Sequence, residues 1–246
     1  MDKMLYISMS GLKQIMQAQA ANSHNLANVS TPGFKADLQA FKDMQVYGDG
    51  YASRSYTDVG SNGVDHTSGS IIHTGKDLDV AIKGEGYLTV QSSDGREAYS
   101  RAGNMHISAN GLLQDSSGRA VLGNGGPISI PPAEKMEIGV DGTISIVPLG
   151  QDASTLAVID RIKLVTVDKT QLSKESDGLL YLANNETASA DASVRLVQGS
   201  LESSNVNVID AMVDMINLAR TFEMQSKVMQ VSKENDAKSG KLLSLN

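Results

Sequence analysis

The 246-residue chain has no cysteine and no tryptophan, only five prolines, and just 4% aromatic residues. Without cysteine, a disulfide framework or a thiolate metal site is excluded. No apolar run approaches the roughly 18–20 residues that a membrane-spanning helix needs, so no membrane insertion is expected. Positive charge is scarce too. The 21 Lys and Arg face 28 Asp and Glu, a net charge of −7. That balance draws the chain neither to nucleic acid nor to an anionic membrane. A cleaved secretion signal is not expected either. Ala18-Gln19-Ala20 has the small-residue pattern of a cleavage site, but Lys13, Gln14 and Gln17 break up the apolar core such a signal requires.

Residue types with catalytic potential are present, but not in working arrangements. Ser10-Gly11-Leu12-Lys13 matches the S-x-x-K pattern of penicillin-recognising serine enzymes, without the K-T-G and S-D-N elements that go with it. Asp77, Asp79 and Glu85 could supply a carboxylate pair for a cell-wall hydrolase. However, Asp77 and Asp79 alternate with Leu78 and Val80, which predicts the exposed face of a strand. The four histidines (His24, His66, His73, His106) lack metal-ligand spacing. Gly84-Glu85-Gly86 lacks the third glycine of a dinucleotide loop, and Asp115-Ser116-Ser117-Gly118 reads as a turn rather than a calcium loop. The expectation is a chain that is not an enzyme, with no catalytic residue, cofactor, metal or small-molecule substrate.

What the chain does have lies at its two ends. Charge is unevenly spread: residues 1–47 carry four positive and three negative side chains, 200–246 carry five and six, and the middle holds 12 and 19. Near-neutral ends can pack against copies of themselves without long-range repulsion. All three phenylalanines and nine of the 11 methionines also lie in these ends. Flexible thioethers suit surfaces that meet differing neighbours.

The spacing predicts a helix over 207–243, about 55 Å long at ~1.5 Å per residue. Val208, Met212, Met215, Ala219, Phe222, Ser226 and Met229 step by four and three along one face. Asn207 suits the N-cap, and Asp210 and Asp214 the positive end of the helix dipole. Ile209, Val213 and Ile216 form a second apolar line beside the first. One partner helix covers a narrow strip, so two lines call for more than one neighbour. Residues 3–28 predict a second helix. Its face is Leu5, Met9, Leu12, Met16, Ala20, Ser23 and Ala27, with Leu26 alongside. That helix should end at Ser30-Thr31-Pro32-Gly33, because proline bars its predecessor from the helical region and glycine supplies a positive φ.

Between the ends the pattern changes. Residues 48–75 are rich in Gly, Ser, Asp and Asn and predict loops and short strands. From Leu78 to about Val197, short apolar runs alternate with Asp94-Gly95, Asn110-Gly111 and Asp141-Gly142. Each pair is a hairpin signal of the two-residue type, which needs positive φ at both central positions. Strands are expected at Leu78–Lys83, Tyr87–Gln91, Ala98–Arg101, Met105–Ser108, Ile128–Ile130, Met136–Val140, Thr143–Val147, Leu156–Val167 and Leu179–Ala183. The fold class is therefore mixed α and β: long terminal helices packed as a coiled-coil-like pair, with an inserted all-β domain, either a sandwich or a distorted barrel. The expected division is 1–30 plus 206–246 as a helical assembly domain, 31–75 as a connecting region, and 76–205 as the β domain.

Four stretches carry a family resemblance. They are Ser23-His24-Asn25-Leu26-Ala27-Asn28-Val29-Ser30-Thr31-Pro32-Gly33-Phe34-Lys35; Thr74-Gly75-Lys76-Asp77-Leu78-Asp79-Val80-Ala81-Ile82 with Gly84-Glu85-Gly86-Tyr87; Tyr99-Ser100-Arg101-Ala102-Gly103-Asn104; and Gln198-Gly199-Ser200-Leu201-Glu202-Ser203-Ser204-Asn205-Val206-Asn207. In this order, and over nearly the whole chain, they resemble the signatures of the flagellar basal-body rod and hook family. Within that family the opening Met1-Asp2-Lys3-Met4-Leu5-Tyr6 and the modest length look most like a proximal-rod member. A distal-rod paralogue is the nearest rival, and typically carries Asn-Gly where this chain has Pro32-Gly33. The resemblance implies a structural subunit, exported by the flagellar type III apparatus without a cleaved signal. It implies assembly in the periplasm, with copies of itself and with other proximal and distal rod proteins, into a helical tube lined by the terminal helices. A secreted β-rich adhesin is the reading from another class, and it leaves the paired terminal helices unexplained.

Overall fold

Five turns of one design set the β architecture. They begin at Ser92, Ser108, Asp115, Gly139 and Glu175. In each, the first amide donates to the fifth carbonyl and the fourth residue, a glycine, donates back to the first carbonyl. Gly95, Gly111, Gly118, Gly142 and Gly178 all sit at φ between +79° and +86°. These are three-residue loops closed by a left-handed glycine, not the two-residue turns the Asp-Gly and Asn-Gly pairs predicted. The acidic residue before the glycine gives the reason. Asp94, Asp141 and Asp177 each accept a bond from the amide two residues on, at 3.0, 3.1 and 3.0 Å. That bond holds the aspartate in an Asx turn and leaves only the glycine with positive φ.

The computed structural model describes residues 4–39, 41–45, 55–59, 63–150, 156–183 and 186–243. They fall into two units. The first, a β unit, comprises the described residues of Val29–Ala36 and His66–Asn205. The second comprises those of Met1–Asn28, Asp37–Asp65 and Val206–Asn246. Residues 31–75 are thus divided between the two.

The β unit is antiparallel. Its largest sheet has five strands in the order Leu164–Val165, Tyr87–Gln91, Glu97–Ser100, Leu180–Leu182 and Leu172–Lys174. A three-stranded meander joins Ala133–Ile138, Thr143–Pro148 and Ala157–Arg161. Arg195–Gln198 pairs with Val80–Lys83, and Ser200–Glu202 with Ile71–His73. Leu88, Leu113, Ile144, Ile146, Ile162, Leu164 and Leu196 are fully buried in one core that these sheets share. Among the described residues no sheet closes on itself, so the barrel alternative is corrected. The pairing is divided among a five-stranded sheet, a three-stranded meander and two-stranded ladders, and in the largest sheet the edge strands Leu164–Val165 and Leu172–Lys174 are not paired with each other. Two further expectations change. Ile128 and Ile130 are buried but lie outside named strands, with Ser129 bridging to Leu112. Leu156–Val167 splits in two, and between the halves Lys163 reaches Glu97 at 2.8 Å.

In the second unit, α1 spans Met4–Ala27 and α2 spans Val208–Leu243. Asn207 caps α2, its Oδ1 accepting from the Ile209 amide at 3.0 Å. Asn28 closes α1: its amide and its side-chain Nδ2 both donate to the His24 carbonyl. Ser8 lies by Gln225 and Asn22 by Ala211, so the two helices run antiparallel. A hairpin of Phe41–Gln45 and Ser55–Val59 lies against α1. Asp37–Leu38 pairs with Gly63–Val64. Residues 48–54 and 60–62 of the expected loop region lie outside the described residues. No described helix is long and apolar enough to cross a membrane.

Candidate assembly interface

On α2, the residues withdrawn from solvent are Ala211, which is buried, and Met215, Leu218, Phe222, Gln225, Ser226, Met229 and Ser232, which are half-buried. They advance by three and four and mark the side that faces α1. Met215, Phe222 and Met229, named from the sequence, lie on it. Val208, Met212 and Ala219 do not; they are exposed. Sequence periodicity also passed over Ala211 and Leu218, although both fit the same spacing.

The opposite side of α2 is apolar as well. Ile209, Met212, Val213, Ile216, Met224, Val228 and Val231 are all exposed, Ile209 at 72% and Ile216 at 54%. At about 100° per residue they spread over about 160°, a little under half the helix circumference, on the side opposite Met215 and Phe222. The stripe runs about 33 Å at ~1.5 Å per residue. Arg220, Glu223 and Lys227 lie on the same side and divide it into two apolar groups, 209–216 and 224–231. Singly scattered exposed aliphatics need no explanation, but groups of this kind on one helix side mark an interaction surface.

The named face of α1 is divided in the single chain. Met9 and Met16 are 54% and 59% exposed, while Ser8, Leu12, Gln14 and Ala18 are buried. Leu26 is half-buried, and the side chain of Leu5 lies outside the described residues. Small size decides which side goes in. Gly11 brings its backbone so close that a Cβ there would stand 3.0 Å from the Gln225 amide nitrogen. Gln225 in turn donates to the Ser8 carbonyl at 3.3 Å, and Asn22 to the Ala211 carbonyl at 2.7 Å. Close approach and backbone-directed amides take the face that large thioethers would have held apart.

Within the β unit, all four sequence signatures converge. Lys35, Arg101 and Glu202 are 4%, 6% and 1% exposed. The Glu202 carboxylate accepts from Lys35 Nζ at 2.7 Å, from the Arg101 guanidinium at 2.8 Å and from the Gly69 amide at 3.0 Å. Lys35 also donates to the Thr67 carbonyl, and Arg101 to the Gly84 carbonyl, both at 2.7 Å. Burial alone would push the Glu202 carboxyl up, but the bonds and charges of Lys35 and Arg101 outweigh it and hold the group below its ordinary range. Gly33 donates to the Glu202 carbonyl at 2.8 Å. Its φ is +70°, and a Cβ there would overlap the backbone of Arg101 and Ala102. Phe34 is buried beneath Lys174, whose Nζ stands 3.9 Å from the ring centroid. Pro32 is half-buried at the turn before it.

The residues with catalytic potential are engaged elsewhere. Ser10 donates back to the Ile7 carbonyl of its own helix at 2.9 Å. Glu85 pairs with Lys169 at 2.7 Å. Asp77 is exposed, but Asp79 is buried, correcting the expected exposed face: its carbonyl accepts from Gly199 where the chain turns into Val80–Lys83. His24 contacts Asp37 and His66 the Tyr87 hydroxyl, in different units. Among the described residues no three His, Asp or Glu side chains gather as metal ligands would.

Three family models match separate stretches of the chain, in order. Residues 5–35 match the flagella basal body rod protein model. Residues 81–146 match the D1 domain of the flagellar hook protein FlgE/F/G. Residues 197–242 match the C-terminal model of the flagellar basal body rod FlgEFG proteins. The chain is 39% identical to the flagellar basal-body rod protein FlgF of Salmonella typhimurium, with the whole of both chains covered. It is 38% identical to FlgF of Escherichia coli, again over all of both chains. To the rod protein FlgG of Bacillus subtilis it is 36% identical, over 94% of this chain and 95% of the relative. With its terminal helices, its antiparallel middle and its motif-bearing junction all accounted for by these matches, the chain belongs to the flagellar basal-body rod protein family.

Proposed function

We propose that this chain is a structural subunit of the proximal rod of the bacterial flagellum, assembled helically with copies of itself and with other proximal- and distal-rod proteins. Membership of the rod family makes it a structural basal-body component. The observation that carries the finer reading is the apolar stripe from Ile209 to Val231, on the side of α2 turned away from α1. An open tube needs heterologous contacts, in which one patch binds a different patch on the next copy. The stripe is one such patch, and the outward Met9 and Met16 supply another. In this reading the helices form a coiled-coil-like assembly domain over 1–30 plus 206–246, and the β region carries no catalysis. The subunit reaches the periplasm through the flagellar type III export apparatus without a cleaved signal. Full-length similarity to FlgF relatives supports the proximal rather than the distal position.

The test is Phe222→Asp in a strain lacking its own copy. Phe222 sits half-buried on the α1-facing side, where a carboxylate would lose its hydration without a partner. Swimming should be abolished, and the variant should be absent from isolated basal bodies while its β unit keeps its circular dichroism. Normal swimming would sink the proposal.

A further inference from the structure

Glu202, Lys35 and Arg101 come from the two ends and the middle of the β unit, the first two 167 positions apart in sequence. Two cations share one carboxylate inside a site almost closed to water. A buried ion cluster of this kind is weak evidence of stability, since apolar replacements are often as good. Its asymmetry is informative instead. With Glu202 absent from the site, two buried cations lack their counter-charge, and removing one partner of a buried cluster is far costlier than never having built it. The core already pairs Arg195–Gln198 with Val80–Lys83, so only the short arm 199–205 and the segments it meets, 29–36 and 66–70, are left to close.

The same cluster holds both places where the chain leaves the β unit. Residues 33–36 and 202–205 run side by side. Gly33 donates to the Glu202 carbonyl at 2.8 Å, Asn205 to the Phe34 carbonyl at 3.4 Å, and the Ala36 amide to the Asn205 side chain at 2.8 Å. A third strand of contacts comes from residues 67–70. The Thr67 carbonyl takes Lys35, the Gly69 amide binds Glu202, and the Ser70 amide and hydroxyl meet the Ser203 hydroxyl at 3.0 and 2.9 Å. Here the chain has no room to adjust: a Cβ on Gly69 would overlap the Ser203 carbonyl oxygen.

We infer that Lys35, Arg101 and Glu202 form a closing latch, which seats residues 29–36 and 66–70 on an already folded β core only when the segment bearing Glu202 arrives. The core itself, around Leu88, Leu113 and Ile146, makes no use of these charges. The latch is therefore the last step of folding and the first to open. A chain that has not yet brought residue 202 into place keeps its N-terminal segment free of the β unit.

Glu202→Gln in the full chain tests this by hydrogen exchange and by folding kinetics. Residues 29–36 and 66–70 should lose protection by tenfold or more, while Tyr87–Gln91 and Thr143–Pro148 keep theirs. The unfolding rate should rise at least tenfold and the refolding rate change by less than about twofold, as for a contact made after the transition state. Should Glu202→Gln fail to fold, Lys35→Met carries the test. It leaves Arg101 and Glu202 as a balanced pair, so only residues 29–36 should lose protection. Equal loss of protection across the core, refolding slowed by the same factor as unfolding is sped, or wild-type protection in both variants would overturn the latch.

Discussion

Gly33→Ala should destabilise the β unit by roughly 2–5 kcal/mol, read as a fall in the urea midpoint without a change in slope. Two costs combine. At φ +70° any other L residue carries backbone strain of about 1–2 kcal/mol. The new methyl would also overlap the peptide joining Arg101 to Ala102, and overpacking of this kind costs about 1–3 kcal/mol. Backbone cannot swing aside as a lysine tip can, and this peptide is anchored by the Arg101 side chain on Glu202. Gly75→Ala separates the two costs. Gly75 has φ +71°, yet a Cβ there meets nothing within 4 Å. It should lose only the strain, about 1–2 kcal/mol. Equal losses at both positions would show that the close approach of residue 33 to residues 101–102 is not what glycine is needed for.

The double variant Ile209→Asp, Ile216→Asp should behave in the opposite sense. Both side chains are exposed in the single chain, so its unfolding should move by no more than about 0.5 kcal/mol. In the rod each new carboxylate would stand unpaired in an apolar contact, at about 3–5 kcal/mol apiece. Incorporation into basal bodies, measured by immunoblot of the purified structures, should fall more than about a hundredfold, since each 1.4 kcal/mol is a factor of ten. Phe222→Asp changes folding of the helical unit and assembly together, whereas this pair changes assembly alone. Wild-type incorporation of the double variant would show that the stripe faces solvent in the rod.

How legible these features were depended on what each signal encodes. The hairpins were visible because a turn is a local event: an aspartate or asparagine followed by glycine can be read from two residues. Its loop length was not, since that depends on whether the aspartate side chain takes the amide two residues on, as Asp94 and Asp141 do. Helix periodicity fixed the spacing on both helices but not which stripe turns inward. On α2 there were two apolar lines, and large side chains marked the α1-facing one at Met215, Phe222 and Met229. On α1, Met9 and Met16 marked a side other than the one turned to α2, because Gly11, Ala18 and Ser8 allow closer approach there. Periodic hydrophobicity measures burial in whatever surrounds the helix, and for a subunit of a larger body that includes other chains.

The charged cluster was hidden for a different reason. Lys35, Arg101 and Glu202 each appear within a family signature, where they look like ordinary surface charges. No local pattern joins positions 35, 101 and 202, and only the fold shows that they share one buried carboxylate. Each lies in a stretch that reads as an exposed turn or loop, in Pro32-Gly33-Phe34-Lys35, Arg101-Ala102-Gly103 and Gly199-Ser200-Leu201-Glu202, so local composition pointed away from burial. The buried Asp79 was misread through the same blind spot, since alternation with Leu78 and Val80 carries no information about the Gly199 segment that covers it.

The absence of cysteine permits one direct test of the assembly stripe. A single Ile216→Cys substitution creates the chain's only thiol, and its reaction rate with a water-soluble maleimide reports how open that point is. In the purified monomer the thiol should label freely. In basal bodies isolated from swimming cells carrying the same variant, it should be protected by at least tenfold. Equal labelling in the two states would contradict the claim that the outer side of the C-terminal helix is where one rod subunit meets the next.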